Sequence, residues 1–218
     1  MLLYDTERSG NAWKVRLLAG LLGIALGRKT LSIDAGDLQD QVFRNLNPLA
    51  RVPVLQLEDG RTVSESMAIL FYLANGSAYW PTERFEQARV LTWLSFEQSQ
   101  HMAPLAQLRL QLALHHSRRP DDPEILILKA DATRVLSILE VQLESKGNSG
   151  WVAIDRPSIA DVALYPYTRL APMGGIDLEP FPHIKDWLGR VESLHGYQPL
   201  FPGRPDQNYA TAETGRKS

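Results

Sequence analysis

The sequence predicts an α/β domain, built on a mixed four-stranded sheet, followed by an all-α domain. Three observations point there. Over roughly the first 75 residues, short apolar strands alternate with helical segments, the pattern of a βαβ unit with parallel pairing. The last two strands close as a hairpin through Glu58-Asp59-Gly60, so antiparallel pairing is mixed in. Beyond residue 83 the apolar residues recur only at helical spacing.

Each element follows in order. Residues 2–4 (LLY) form a short strand. Residues 9–26 (SGNAWKVRLLAGLLGIAL) form a helix with one apolar stripe of Val15, Leu18 and Leu22 and another of Leu17, Leu21 and Ile24. A helix apolar on two faces is expected to be covered on both. Residues 29–35 alternate through Leu31 and Ile33 and predict a strand; 36–46 is polar and weakly helical. VPVLQL at 52–57 and the RTV that follows the turn are the hairpin strands, and ESMAILFYLANG is a helix ended by Asn75-Gly76. The first domain is thus expected over 1–76, a linker over 77–83, the helical domain over 84–202 and an unstructured polar tail over 203–218.

The helical domain opens with an apolar-periodic segment from about 83 to 115. Pro104 lies inside it, lacks a donor and crowds the carbonyl of Gln100, so a kink is expected there. RPDDP at 119–123 breaks the chain. Ile125, Leu128, Ala132, Val135, Leu139 and Leu143 then mark a second helix. A third starts near Ser158, and a fourth carries Ile184, Trp187, Leu188, Val191 and Leu194 and stops at Gly196.

Composition excludes several function classes. The chain has 218 residues, 44% apolar and 22% charged, with net charge −2, so no basic footprint suggests nucleic acid or an anionic membrane. Without cysteine there is no disulfide, no thiolate-bound zinc and no protein thiol for catalysis, which fits a reducing, cytoplasmic setting. LLAGLLGIALG at 17–27 has the apolar character of a signal-peptide core, but it is too short to span a bilayer and follows Asp5 and Glu7; a buried helix is expected. No phosphate-binding loop, dinucleotide fingerprint or metal-ligand spacing occurs, so no metal is expected.

Two features between residues 49 and 70 invite chemistry. Pro53 interrupts a strand, as prolines do at edges and bulges. A cis bond is the sharper alternative: it would turn the Val52 N–H and C=O outward, where an extended peptide could pair with them. Glu65 and Ser66 open a helix, where polar residues serve as caps. The same helix start could hold a carboxylate through its N–H groups and the Ser66 hydroxyl while Glu65 takes a neighbouring ammonium group. A carboxylate and an amine on one carbon make an amino-acid head, so the two features together describe a site for a small peptide.

Val52-Pro53 before a hairpin, Glu65-Ser66 opening a helix, and PSIADVALYP at 157–166 in the second domain resemble the glutathione transferase family over residues 1 to about 200. The resemblance implies a thioredoxin-like first domain that binds glutathione as co-substrate. Val52, ahead of Pro53, would pair with the cysteinyl backbone, Glu65 and Ser66 would hold the γ-glutamyl head, and Arg51 would lie near the glycyl carboxylate. Lysine is frequent at the Arg51 position; arginine keeps the charge with a different reach.

The chemistry this implies is attack by the glutathione thiolate on a small hydrophobic electrophile. A free thiol has a pKa near 8.5, so only about 3% is ionised at pH 7. Lowering that pKa by ~2 units requires roughly 2.7 kcal/mol of thiolate stabilisation. One charge-assisted hydrogen bond and a helix N-terminus can supply it. Ser9, before Trp13-Lys14-Val15-Arg16, matches the donor position of the serine-type classes, with Tyr4 as second choice. Asn11 stands where zeta-like isomerases carry a cysteine. Ser158 and Asp161 read as a capping box, a structural feature. Met102, Leu105, Leu108, Tyr165 and Met173 are candidate walls of the electrophile pocket, and His101 is a further candidate; the resemblance implies that Gln98 and Glu97, on the same helix, could reach a ligand across a dimer interface; His115-His116 reads as a solvated helix end. The resemblance implies a homodimeric detoxification enzyme; a maleyl-type isomerase and a non-catalytic interaction protein of the same fold are the alternatives.

Overall fold

A computed structural model describes residues 1–33, 35–147 and 150–200. The expected tail over 203–218 lies outside the described residues. The chain forms two compact units, one of Met1–Trp80 with the segment from Leu194, the other beginning at Pro81 and running to Ser193.

In the first unit the elements run β1 (Leu2–Asp5), α1 (Gly10–Leu21), β2 (Gly27–Thr30), a 3₁₀ turn (Asp37–Gln39), α2 (Gln41–Leu46), β3 (Val54–Gln56), β4 (Thr62–Ser64) and α3 (Ser66–Ala74). The sheet order is β2-β1-β3-β4. β1 pairs with β2 in parallel, and β3 pairs antiparallel with both β1 and β4. This is the mixed four-stranded sheet the alternation implies. Leu3 and Leu55 lie opposite one another in the ladder, fully buried. Tyr4 and Val54 project to the other face and cluster with Leu31 and Phe43.

Two elements differ from expectation. The second strand covers 27–30 rather than 29–35, because its partner β1 is four residues long and the register pairs Leu2 with Gly27 and Asp5 with Thr30. Leu31 turns into the core while Ile33 is exposed. The first helix ends at Leu21 rather than at 26. Gly23 takes φ +66°, and the Gly23 and Ile24 N–H groups return to the Gly20 and Ala19 carbonyls, a glycine stop that closes the last turn. The body of α1 is buried from Ala12 through Ala19, as a helix apolar on two faces requires.

The second unit holds α4 (Arg84–Phe96), a π segment (Glu97–His101), α5 (Met102–Arg109), a second π segment (Leu110–Leu114), α6 (Pro123–Ser145), α7 (Ile159–Arg169), a 3₁₀ turn (Ala171–Gly174) and α8 (Pro182–Glu192). The Glu83 carboxylate accepts from the Phe85 and Glu86 N–H groups and so caps α4. Just ahead of Pro104, at the position where a kink is expected, the backbone adopts a π turn over 97–101. Such a turn is one of the few ways a helix accommodates a local break in its ladder. The last helix stops at Glu192, short of Gly196, because Ser193 caps it and donates its hydroxyl to the Arg190 carbonyl at 2.7 Å.

The capping box of α7 has become a hub. Asp161 Oδ2 accepts from the Ser158 N–H at 3.0 Å and its hydroxyl at 3.1 Å. Oδ1 accepts from the Val152 N–H and Trp187 Nε1, each at 3.0 Å. One buried carboxylate therefore ties the loop before α7 to both α7 and α8. Burial pushes the Asp161 carboxyl above the ordinary value, against the pull of these four donors. Among the described residues, no helix is long and apolar enough to cross a membrane.

Candidate active site

The register of the sheet gathers the candidate residues at one end. Tyr4 faces Val54 on β3, and Val54 faces Ser64 on β4. The residues just beyond these pairs, Thr6–Ser9 leading to α1, Val52-Pro53 leading into β3, and Glu65-Ser66 leading to α3, all leave the sheet at that end. Neighbouring strands are about 4.8 Å apart, so the three exits span roughly 10 Å. An extended tripeptide has the same reach, about 3.3 Å per residue.

The Val52-Pro53 bond is cis. β3 begins only at Val54, and the Val52 backbone makes no hydrogen bond with another described residue. A free N–H and C=O thus stand at a strand's lead-in, the condition for strand addition. The loop before it is shaped by Asn47, which is buried: its Nδ2 donates to the Arg51 carbonyl at 2.9 Å and its Oδ1 accepts from the Leu49 N–H at 3.1 Å. Sequence reasoning missed Asn47, although Asn47-Pro48 is a turn-initiating pair that could have flagged it. Arg51 is exposed and forms no ion pair within the described residues.

Glu65 is exposed and precedes α3 with φ +68°, a conformation uncommon for a residue with a Cβ. No side chain caps α3, so its first-turn N–H groups lack that partner. Ser66 is 4% exposed and its hydroxyl makes no hydrogen bond within the described residues. Ala50, at φ +51°, flanks the other side of the hairpin. Two of the three non-glycine positive-φ residues described therefore bracket this one site, and such strain concentrates where function holds it.

Ser9 is the N-cap of α1 and half-buried; its Oγ accepts the Ala12 N–H at 3.1 Å. That bond uses an oxygen lone pair and leaves the hydroxyl proton without an acceptor among the described residues. Two residues on, Asn11 has a buried carbonyl oxygen with no hydrogen-bond partner. Tyr4, by contrast, is a core residue: its hydroxyl donates to Gln56 Oε1 at 3.2 Å and its ring packs on Phe43. The Trp13–Arg16 run anchors α1. Trp13 Nε1 donates to the Gln198 carbonyl at 2.6 Å, and Arg16 pairs with Asp5 at 2.7 Å.

In the second unit the expected pocket walls are core. Leu105, Leu108, Tyr165 and Met173 are buried, and only Met102 keeps partial exposure. Tyr165 donates to Glu192 at 2.9 Å, and Arg109 Nε lies 3.4 Å from the Met173 sulfur. His101 is buried against the Thr168 hydroxyl at 2.9 Å, Gln98 donates to Glu97 at 2.6 Å, and His115 and His116 are exposed at the helix end. Apolar periodicity does not distinguish a pocket wall from a packed interior, and four of these five side chains serve the interior.

A four-stranded thioredoxin-like domain joined in sequence to an all-helical domain defines the class of fold. The family model for the glutathione S-transferase N-terminal domain matches residues 8–75, and that for the glutathione S-transferase C-terminal domain matches 101–195. A curated relative, glutathione S-transferase verG of Clonostachys rogersoniana, is 30% identical over 75% of this chain and 72% of its own. The maleylacetoacetate isomerase of Pseudomonas aeruginosa is 27% identical over 92% and 93%. The crystal structure of a glutathione S-transferase from Pseudomonas fluorescens superposes with TM-score 0.87 at 36% identity, over 92% of this chain and 98% of that one. The chain belongs to the glutathione S-transferase family.

Proposed function

We propose that the protein binds glutathione along the Val52-Pro53 edge and activates its thiol for attack on a small hydrophobic electrophile. The observation that carries the reading is the set of unspent hydrogen-bonding groups at one sheet end: the Val52 backbone, the uncapped first turn of α3 with the Ser66 hydroxyl, and the Ser9 hydroxyl proton. The Val52 N–H and C=O pair with the cysteinyl residue. The α3 N-terminus and Ser66 take the γ-glutamyl carboxylate, and Glu65 takes its ammonium group. Arg51 neutralises the glycyl carboxylate.

Ser9 then donates to the sulfur. Because its oxygen already accepts from Ala12, the hydroxyl is polarised toward the ligand side, and hydrogen bonds in a chain reinforce one another. The N-terminus of α1 adds its positive end. The thiol proton leaves to solvent, the thiolate attacks the electrophilic carbon, a C–S bond forms and the leaving group departs with the electron pair. Asn11, in the first turn of α1, is a second catalytic candidate because its buried carbonyl oxygen is left without a partner. The reading includes a homodimer in the cytoplasm, which light scattering and fractionation test.

Isomerisation of a maleyl-type substrate is the second reading, favoured by the long alignment with a maleylacetoacetate isomerase. Asn11 in place of a cysteine weighs toward conjugation. The deciding experiment offers the purified protein glutathione with an activated aryl halide, and separately with a cis-enedione acid. Conjugate formation with retention on immobilised glutathione supports the first reading. Turnover of the enedione alone selects the second, and neither activity with no retention rejects both.

A further inference from the structure

On the other side of β1 from the candidate site, a cluster of charges is left unbalanced. Asp5 is fully buried at the end of β1. Its Oδ2 accepts from Arg16 Nη1 at 2.7 Å and from Arg28 Nε and Nη2 at 3.1 and 2.8 Å, while its Oδ1 accepts from the Thr30 hydroxyl at 3.2 Å. One carboxylate thus serves two guanidinium groups, and a guanidinium stays charged in proteins. Counting only the three groups in direct contact, the cluster carries one excess positive charge. Burial and the neighbouring Arg28 both lower the Arg16 pKa, burial more strongly, while Asp5 and, weakly, the exposed Glu7 raise it.

The cluster opens on a cavity of about 190 Å³. Arg16 and Arg28 line it together with the apolar Ala19, Ile24, Leu26 and Pro199. The segment from Leu194 closes one side as a strap across α1. Gly196 at φ +85° meets Gly20 so closely that a Cβ on either would collide with the other's backbone. Trp13 holds the Gln198 carbonyl, and Arg16 Nη2 holds the Leu200 carbonyl at 3.3 Å. Of the Arg28 nitrogens, Nη1 has no protein acceptor among the described residues. An excess charge, a guanidinium edge that is anchored on the buried Asp5 but about a third exposed, and largely apolar walls together form a candidate anion site.

We infer that this cavity binds a small organic monocarboxylate, its carboxylate on the Arg28 guanidinium edge and its short apolar body against Ile24, Leu26 and Pro199. One negative charge neutralises the cluster. A planar carboxylate matches the guanidinium fork, and the apolar walls disfavour a fully hydrated inorganic ion. The volume falls below the ~300 Å³ at which pockets begin to hold drug-sized ligands, so the acid has only a few carbons. The site is independent of the glutathione reading: it lies beside β2, at the opposite edge of the sheet from β4. Because Gln198 and Pro199 form part of it, occupancy also fastens the strap.

The test is titration calorimetry and thermal melting of the full chain, without glutathione, at fixed pH and ionic strength. The probes are butyrate, its neutral amide butyramide, and inorganic phosphate. Butyrate is expected to bind saturably and raise the melting temperature, while butyramide gives no effect and phosphate no more than chloride. Arg28→Gln, which leaves Arg16 to neutralise Asp5, is expected to weaken butyrate at least tenfold. Leu26→Trp, which fills the cavity and spares both arginines, is expected to do the same. Ser66→Ala is expected to leave butyrate binding unchanged. The inference is overturned if butyrate gives no saturable signal, if butyramide or phosphate matches it, or if both cavity variants bind it normally. Loss of butyrate binding in Ser66→Ala also overturns it, by placing the acid at α3.

Discussion

Ser9 is asked to do two things with one hydroxyl, and the two can be separated. Its oxygen caps α1 by accepting from Ala12, and in the proposed mechanism its proton stabilises the glutathione thiolate. Ser9→Ala removes both. Loss of an N-cap costs about 1 kcal/mol of stability. Loss of a hydrogen bond to a charged group is worth about 1.5–3 kcal/mol, which raises the thiol pKa by about 1–2 units. From a bound pKa near 6.5, the ionised fraction at pH 7 then falls about 3- to 25-fold. The loss deepens below pH 6 and disappears above pH 9, so the whole rate profile moves to higher pH. Ser9→Asp keeps an acceptor for Ala12 and holds stability within about 0.5 kcal/mol, yet it has no proton to give and repels the sulfur. Its turnover is expected to fall below that of Ser9→Ala. Urea denaturation measures the first role, and pH-dependent turnover with the near-ultraviolet absorbance of the bound thiolate measures the second. An unshifted profile in Ser9→Ala, or full activity in Ser9→Asp, refutes the assignment.

Other expectations concern separate parts of the molecule. Ser66→Ala should weaken glutathione binding by about 1–3 kcal/mol, with little change in melting temperature, because the hydroxyl bonds nothing within the described protein; equilibrium dialysis reads it, and wild-type affinity would remove Ser66 from the site. Asp161→Ala strands the buried N–H groups of Ser158, Val152 and Trp187 and should cost about 3–5 kcal/mol, while the folded remainder binds glutathione normally. A Kd that changes with stability restored by low temperature would contradict a purely structural role. Hydrogen bonds from Arg156 hold the Glu86 carboxyl below its ordinary value of 4.5. A depressed carboxylate contributes stability above its unfolded pKa and loses it as pH falls through the folded value. Arg156→Ala should therefore flatten the acid side of the melting profile below about pH 4.5 and leave the slope at pH 7 unchanged.

Much of the fold was legible in the sequence because its signals are local. Strand–helix alternation, Glu58-Asp59-Gly60, Asn75-Gly76 and Pro123 each marked a boundary that the structure keeps. The misplaced boundaries were set by partners elsewhere in the chain. β2 is only as long as β1 allows, and no pattern within 29–35 records that. The end of α1 was written in Gly23 but masked by the apolar run around it. Of the proposed site, Ser9 and Ser66 could be picked out from the sequence because a hydroxyl at a helix start is a local signal. Val52, whose proposed part lies in its backbone, was reached only through the neighbouring Pro53, and Asn47, which holds the loop before it, was missed. The isomer at Pro53 was also open, since cis and trans prolyl bonds differ by only about 1 kcal/mol locally and long-range packing chooses. The cluster around Asp5 was invisible, because Arg16 and Arg28 meet only once β1, β2 and α1 are assembled.

The most direct test of the central claim follows the Val52 amide by residue-resolved NMR hydrogen exchange as glutathione is added. That N–H has no partner in the described protein and is expected to exchange freely without ligand. With glutathione at saturation, antiparallel pairing should slow its exchange at least tenfold, with the first-turn amides of α3 slowing alongside it. Saturable glutathione binding that leaves Val52 exchange unchanged would contradict the account.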